Sequence, residues 1–273
     1  MSPDSPIAVF DSGVGSYSVV RVIRERLPYE SIIYLADRAS FPYGGKSHEE
    51  LKNIIDNSVS FLEEHYDPKV IIVASNTPSI QVLDEIKPQH KTFLIGVYPP
   101  IEKAVVISKS KHIAILGTKG AIESSEIDDY IKSKNLPSNI VIQKVNASGL
   151  VALVEPGTFL KDKERTETEI KKVIDPVLSA DSLIDVVTLS STHLPFLRDY
   201  LTILYRQISF LDPANDTVEI LEKYLRKQKI LANNQGTIKV ITTVDKEAKL
   251  KPEELKNILA TMGLHTEIDV VQI

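Results

Sequence analysis

The sequence contains no cysteine among its 273 residues, and this absence removes several kinds of chemistry at once. Disulfides, zinc–thiolate sites and thiol catalysis all require cysteine side chains, so this chain can use none of them. The six histidines are scattered along the chain, and no two of them stand at the spacing of a metal-binding pair. We therefore predict that the protein holds no metal.

The chain also lacks long apolar runs and an excess of positive charge. Its apolar runs are far shorter than the roughly 20 residues that cross a bilayer. The formal net charge is -5 and the isoelectric point about 5.8, which argues against nucleic acid and membranes as partners. Residues 1–6 lack the charged and apolar regions of a signal peptide, so we expect a cytoplasmic protein.

The stretch around which the chain is organised begins with residues 70–74, which are five successive apolar residues. Such a run, mostly β-branched and without alternation, predicts a parallel strand buried on both faces. It ends at Ser75, Asn76 and Thr77, and Pro78 suits the first turn of a following helix. Because ligands bind beyond the carboxyl ends of strands in open α/β sheets, these three polar residues are candidate binding residues.

The same pattern returns roughly 115 residues later, where the predicted strand 185–189 (Asp-Val-Val-Thr-Leu) leads into Ser190, Ser191, Thr192 and His193. A second repeated feature is a loop with glycine after a short apolar run. Asp11, Ser12 and Gly13 follow one such run, and Gly117 and Thr118 follow the other. Two repeated strand ends predict two similar lobes. We assign the first lobe to residues 1–97 plus 208–273 and the second to residues 98–207.

Apolar runs alternate with amphipathic stretches along the whole chain. This alternation predicts an α/β fold of two doubly wound parallel-sheet lobes related by pseudo-two-fold symmetry. The predicted strands are 7–10, 32–35, 70–74, 93–97, 112–116, 140–145, 185–189, 209–211, 238–242 and 267–271. The charge-rich stretch 161–172 is interpreted as one solvated helix face. Residues 45–47 (Gly-Lys-Ser) imitate the end of a P-loop, but the required earlier glycine falls at Ser40, so a nucleotide site is rejected.

Six short segments stand in the order and spacing of a known family: residues 11–15, 41–44, 76–77, 117–118, 154–155 and 192–193. On these segments the chain resembles the cofactor-independent glutamate racemases of the aspartate/glutamate racemase superfamily, and the likeness covers nearly all of it. The resemblance implies two facing lobes with glutamate or a related acidic amino acid between them, and no cofactor. A homodimer is one assembly compatible with it.

The resemblance also assigns roles to individual residues. In such enzymes two cysteines, one from each lobe, flank the substrate Cα; one takes a proton as thiolate and the other returns one to the opposite face. Ser75 and Ser191 stand at these positions here. Asp11 would steer one base, and Glu155 and His193 would tune the other. The remaining implied substrate-binding residues are Ser12, Pro42, Tyr43, Gly44, Asn76, Thr77, Thr118 and Thr192.

The departures from the family pattern fall at the reacting groups and beside them. A free cysteine titrates near 8.5, whereas a serine hydroxyl ionises only at a pH several units higher. Generating the base from serine therefore costs roughly 6 kcal/mol more, or about ten-thousandfold in rate. We expect racemase activity to be lost or strongly reduced. Further departures are Ala121 for an expected threonine, Ser148-Gly149 for Cys-Pro, and Leu194 for tyrosine.

Three interpretations remain open at this stage. The favoured one is a natural, catalytically silent homologue that still binds an acidic amino acid, with a ligand-binding or regulatory role. The second is an active racemase whose cysteines were replaced by design, although Ala121, Gly149 and Leu194 are not cysteine replacements. The third, least favoured, is an enzyme that uses Ser191 and His193 with Asp11 as a nucleophile set. A structural alternative applies to every small hydroxyl, since serine and threonine at strand ends often cap the next helix.

Overall fold

The computed structural model of the chain describes residues 2–244 and 250–273. Within these residues the chain divides into two compact units. The first unit combines the part of the chain up to Val97 with the part from Ala214 onward, and the second is the continuous segment Tyr98–Pro213. Each unit is built on one parallel sheet, which confirms the predicted α/β fold.

All ten predicted strands are present, each with its ends within one residue of the predicted ones. They are β1 (Ile7–Asp11), β2 (Ile32–Ala36), β3 (Val70–Val73), β4 (Phe93–Gly96), β5 (His112–Gly117), β6 (Val141–Asn146), β7 (Val186–Ser190), β8 (Ser209–Leu211), β9 (Ile238–Thr243) and β10 (Ile268–Val271).

The α-helices of the described residues lie between these strands, together with several short 3-10 turns. They are α1 (Tyr17–Arg26), α2 (His48–Tyr66), α3 (Asn76–Gln81), α4 (Leu83–Ile86), α5 (Ile101–Ile107), α6 (Lys119–Ile122), α7 (Ser125–Ser133), α8 (Ser148–Val154), α9 (Lys163–Ala180), α10 (Arg198–Leu204), α11 (Ala214–Gln228) and α12 (Pro252–Thr261). No helix among the described residues combines the length and the apolarity needed to cross a bilayer.

The two sheets repeat one strand order. The second sheet runs β6-β5-β7-β8, and the first runs β10-β9-β2-β1-β3-β4, so its last four strands have the same arrangement. In each case the first strand of the repeat lies between the second and the third. The internal repeat predicted from the two strand-end patterns is therefore present in the topology, and the first sheet carries β9 and β10 as an extension.

The cores follow from the unbroken apolar runs of the strands. Every residue of β1, β2 and β3 is buried, as expected for parallel strands covered by helices on both faces. Helix α2 packs Leu51, Ile55, Val59 and Leu62 against this sheet, and burial of each such side chain contributes about 1.5–3 kcal/mol. The helix begins where Ser47 accepts a hydrogen bond from the backbone N–H of Glu50.

The boundary between the units differs from the predicted one. Residues 208–213, assigned from the sequence to the first lobe, lie in the second unit. The reason is that β8 pairs with β7, with Ser209 opposite Val186 and Phe210 opposite Val187. The chain returns to the first unit only with α11, at Ala214.

Helix α9 is longer than the charged stretch that predicted it. It extends to Ala180 and includes Pro176, where the pattern of charged residues gives no sign of a helix. Ile170, Ile174 and Val177 of this helix are buried, so its apolar face continues past the charged segment and holds the last turns in place.

Candidate functional site

The carboxyl ends of β1 and β3 bring the first group of predicted residues together. These strands are neighbours, with Phe10 opposite Val73, so Asp11 and Ser75 follow at adjacent strand ends. Asp11 is 2 % exposed and Ser12 is 4 % exposed. The backbone N–H of Ser12 donates to Asp11 Oδ1 at 2.7 Å, which holds this carboxylate at the end of its strand.

Ser75 and Asn76 mark the turn from β3 into α3. Ser75 is half-buried, and although it precedes the helix its hydroxyl makes no capping bond, so the capping alternative does not hold there. Asn76 is 3 % exposed, and its Nδ2 donates to the carbonyl oxygen of Val97 at 3.0 Å. Its Oδ1 is buried without a hydrogen-bond partner among the described residues. An orphaned buried acceptor is costly, so this atom is suited to an N–H donor supplied by a ligand.

Tyr43 is buried in the loop between β2 and α2. Its hydroxyl donates to Asp37 Oδ2 at 3.1 Å, and the side chain is 2 % exposed. Burial raises the pKa of Tyr43 well above its usual value, and the carboxylates of Asp37 and Asp11 raise it further. The phenol therefore remains protonated and acts as a hydrogen-bond donor. Of its predicted neighbours in the loop, Pro42 is exposed and Gly44 is half-buried.

In the second unit the equivalent strand ends are those of β5 and β7. Gly117 lies opposite Ser190, so Thr118 and Ser191 follow at adjacent strand ends, as Asp11 and Ser75 do in the first unit. Thr118 is half-buried and makes no capping bond to α6. The backbone N–H at the start of α6 is instead satisfied by Ser148 Oγ, which accepts from Lys119 at 2.9 Å.

The loop after β7 buries three predicted side chains in succession. Ser191, Thr192 and His193 are 5 %, 3 % and 5 % exposed. His193 Nε2 lies 2.6 Å from Glu155 Oε2, and Glu155, directly after α8, is itself 7 % exposed. The structure therefore brings together the two residues that the resemblance assigns to the tuning of one base.

Two of the residues that depart from the family pattern, Ala121 and Leu194, are buried. Ala121 lies in α6 with 1 % exposure, and Leu194 is fully buried after His193. Gly149 has open space where a Cβ would stand. A larger side chain would fit at Gly149, and nothing in the structure explains why glycine stands there.

Sequence analysis missed two buried residues beside Tyr43. Asp37 follows β2 directly, Thr243 ends β9, and both are 3 % exposed. The Thr243 hydroxyl donates a hydrogen bond of 2.7 Å to Asp37 Oδ1. Asp37 shows the same signal as Asp11, an acidic residue at the end of a buried strand, and could have been found by it. Thr243 carries no such signal, because its partner is 206 positions away in the sequence.

Among the described residues, no cluster of histidine and acidic side chains has the composition of a metal site. The chemistry available at these strand ends is that of hydroxyls, amides, carboxylates and the His193 imidazole. Such groups can bind an amino acid through its ammonium and carboxylate groups, and they offer no soft metal ligand.

Each unit contains one parallel sheet, and the two sheets share a strand order. Each also carries small polar side chains at the ends of its central strands. These features define an internally repeated α/β protein. No protein-family model matches the chain. Among curated proteins it is similar to the glutamate racemase of Herpetosiphon aurantiacus, with 30 % identity over 245 residues, which are 89 % of this chain and 94 % of that protein. The chain belongs to the glutamate racemase family.

Solved structures agree with this assignment. The structure of a glutamate racemase isoform from Bacillus anthracis has 26 % identity and a TM-score of 0.84, covering 98 % of each chain. The glutamate racemase of Thermus thermophilus, solved in complex with β-chloro-D-alanine, has 25 % identity and a TM-score of 0.82 over 100 % of this chain and 99 % of that one.

Proposed function

We propose that this protein binds glutamate or a related acidic amino acid and has lost most or all racemase activity. One observation carries the proposal: a chain of this family contains no cysteine at all. Ser75 and Ser191 stand at the positions that the resemblance assigns to the two acid/base thiols. Both follow the third strand of a repeated sheet, β3 in one unit and β7 in the other.

The polar groups at the strand ends support an amino-acid ligand. The buried Asp11 carboxylate and the unpartnered Asn76 Oδ1 are acceptors suited to an ammonium group. By the resemblance, Ser12 belongs with Asp11 on the ammonium side, and the hydroxyls of Thr77, Thr118 and Thr192 would hold the ligand carboxylates. The Thermus thermophilus relative is solved with an amino-acid derivative, which supports the same ligand class for this chain.

The loss of activity follows from the basicity of the residues present. Removing a proton from the Cα of an amino acid needs a strong base next to that carbon, and a neutral serine hydroxyl does not supply one. The buried His193–Glu155 pair and Asp11 remain to tune such a base. The polar groups beside the two reacting positions are therefore present, although serine has replaced cysteine at both of those positions.

Calorimetry tests the binding half of the proposal. L-glutamate, D-glutamate and aspartate are titrated into the unmodified protein up to millimolar concentrations. We expect heat with at least one of them. The Ala121→Thr variant should bind the same ligand about five- to tenfold more tightly than the unmodified protein, since one neutral hydrogen bond contributes about 1 kcal/mol. Absence of heat with all three ligands would show that this ligand class is wrong.

Exchange of the Cα proton with deuterated solvent tests the catalytic half. The unmodified protein should exchange neither enantiomer of glutamate. The double variant Ser75→Cys/Ser191→Cys should exchange both, and each single variant should exchange at most one, because each base serves one face of the substrate. The matched double variant Ser75→Ala/Ser191→Ala should stay silent.

Exchange by the unmodified protein would contradict the argument from serine basicity. A silent double cysteine variant that still binds glutamate would place the loss elsewhere, with Ala121 the first residue to restore to threonine.

A further inference from the structure

We propose that Thr243 is a positioning residue, which holds the Tyr43 side chain in place through the carboxylate of Asp37. The inference deepens the proposed function and rests on it for one point, the assignment of Tyr43 to the substrate-binding residues. The contact between Thr243, Asp37 and Tyr43 lies wholly within the first unit, so it can be tested without a ligand.

One carboxylate joins the two side chains. Thr243 Oγ1 donates to Asp37 Oδ1 at 2.7 Å, and the Tyr43 hydroxyl donates to Asp37 Oδ2 at 3.1 Å. Each oxygen of Asp37 therefore has its own donor, and the plane of the carboxylate is set by both of them. If the Thr243 hydroxyl is removed, the carboxylate can rotate, and its second oxygen leaves the position that Tyr43 requires.

The strand register explains why these residues meet. Strands β2 and β9 are parallel neighbours with Ala36 opposite Thr242, so Asp37 and Thr243 are the next residues on each strand. Thr243 Oγ1 also accepts the backbone N–H of Ala39 at 2.9 Å. The same hydroxyl thus fixes both the carboxylate and the turn that leads from Asp37 towards Tyr43.

Burial makes this arrangement hard to replace. Asp37, Tyr43 and Thr243 are 3 %, 2 % and 3 % exposed, so their side chains are almost fully enclosed by protein. Hydrogen bonds to an ionised partner are also stronger than those between neutral groups. Loss of the Thr243 donor should therefore be transmitted to Tyr43 and not be compensated locally.

Strand β9 offers a matched control at the neighbouring position. Thr242 is also fully buried, and its hydroxyl lies within hydrogen-bond distance of two backbone carbonyl oxygens, that of Ala36 at 2.9 Å and that of Thr243 at 3.1 Å. Thr242→Val removes a buried threonine hydroxyl and its bonds to backbone carbonyls, neither of which involves the Asp37 carboxylate. Thr243→Val makes the same chemical change and removes the donor to the carboxylate. A difference between the two variants isolates the role of Asp37 as the link.

The first experiment measures the chemical shift of the Tyr43 ring by NMR of protein labelled with carbon-13 at its tyrosine rings. The Tyr43 signal is identified as the one that is missing from the spectrum of Tyr43→Phe. We expect Thr243→Val and Thr243→Ala to shift this signal, and Thr242→Val to leave it in place. Thr243→Ser, which keeps the hydroxyl, should restore it. An unshifted Tyr43 signal in folded Thr243→Val or Thr243→Ala would overturn the proposal. If neither variant folds although Thr243→Ser and Thr242→Val do, the hydroxyl serves the fold as a whole, and the proposal is equally wrong.

The second experiment measures glutamate binding by calorimetry with the same variants. We expect Thr243→Val to bind about tenfold more weakly or worse, and Thr242→Val to stay within about twofold of the unmodified protein. A shifted Tyr43 signal with unchanged affinity would overturn the assignment of Tyr43 to the substrate-binding residues. Absence of binding by the unmodified protein would overturn the proposed function, while the NMR result would still decide the link from Thr243 to Tyr43.

Discussion

Glu155 and His193 form a buried hydrogen bond of 2.6 Å in the second unit. Glu155→Ala removes the acceptor and leaves a cavity, so we expect a loss of about 1–3 kcal/mol in the free energy of unfolding. Glu155→Gln keeps an oxygen acceptor and should lose less than half as much. Urea unfolding of the three proteins at pH 7 measures both values. Equal stability of all three would show that the pair contributes nothing to folding.

The carboxylate of Asp185, directly before β7, accepts three hydrogen bonds. Its Oδ1 accepts from Ser108 Oγ at 2.6 Å, and its Oδ2 accepts from the backbone N–H groups of Lys109 and Ser110. Burial alone would raise the pKa of Asp185, but these donors outweigh it and hold the pKa below its usual value. A depressed pKa in the folded state means that the carboxylate stabilises the protein above its unfolded pKa of about 3.9 and ceases to do so as the pH falls through the folded value.

We therefore expect Asp185→Asn to lose about 1–3 kcal/mol of stability at pH 7. The difference from the unmodified protein should shrink as the pH falls below about 3.9, since both side chains are then uncharged. Urea unfolding between pH 7 and pH 3 measures it. Asp129→Asn is the control, because Asp129 is 76 % exposed and should show little effect. A difference that stays constant with pH would contradict the linkage.

At the scale of the element, α9 contains an exposed proline, Pro176, near its last turn. Proline cannot donate the backbone hydrogen bond to the residue four positions earlier, and its ring crowds that carbonyl. Pro176→Ala should restore this hydrogen bond and raise the free energy of unfolding by about 1–2 kcal/mol. The gain is smaller than the roughly 3 kcal/mol difference in helix propensity between the two residues, because replacing proline also raises the conformational entropy of the unfolded chain.

The control for this prediction is Pro252, in the first turn of α12, where the missing N–H would have no intrahelical acceptor. Pro252→Ala should leave the stability unchanged or lower it slightly. Thermal unfolding of both variants measures the contrast, and a destabilised Pro176→Ala protein would contradict the account.

The elements also show how far sequence reasoning reaches. All ten strands could be predicted, because unbroken apolar runs between turn residues are a local signal. The place of β8 could not, because its pairing with β7 depends on residues more than 20 positions away, and residues 208–213 were therefore assigned to the wrong unit. The His193–Glu155 pair was expected from the resemblance alone. The contact of Asp37 with Thr243 depends on the register of β2 and β9, which no spacing in the sequence reveals.

At the scale of the whole molecule, a buried lysine joins the two chain segments of the first unit. Lys69 is fully buried, and its Nζ lies 2.5 Å from Glu30 Oε2. The same ammonium group donates to the carbonyl oxygens of Pro3 and Ile230, and Glu30 Oε1 accepts the N–H of Ala232. The pair therefore ties the start of the chain to the segment that leads into β9.

Lys69→Met should lose about 3–5 kcal/mol, because it leaves the Glu30 carboxylate buried without its counter-ion. The double variant Lys69→Met/Glu30→Gln removes both charges and should recover part of this loss. Guanidinium unfolding of the single and double variants measures the recovery. A double variant less stable than Lys69→Met would show that the charge of Glu30 is compensated by other groups.

The first unit is completed by residues from both ends of the chain, whereas the second is continuous from Tyr98 to Pro213. During synthesis on the ribosome, the second unit therefore leaves the exit tunnel whole while β2 still lacks its neighbour β9. We expect the second unit to reach its native state before the first, the reverse of the usual order from the N-terminus. Premature termination after Pro213 would consequently release a folded second unit joined to an incomplete first unit, a natural target for cellular proteases.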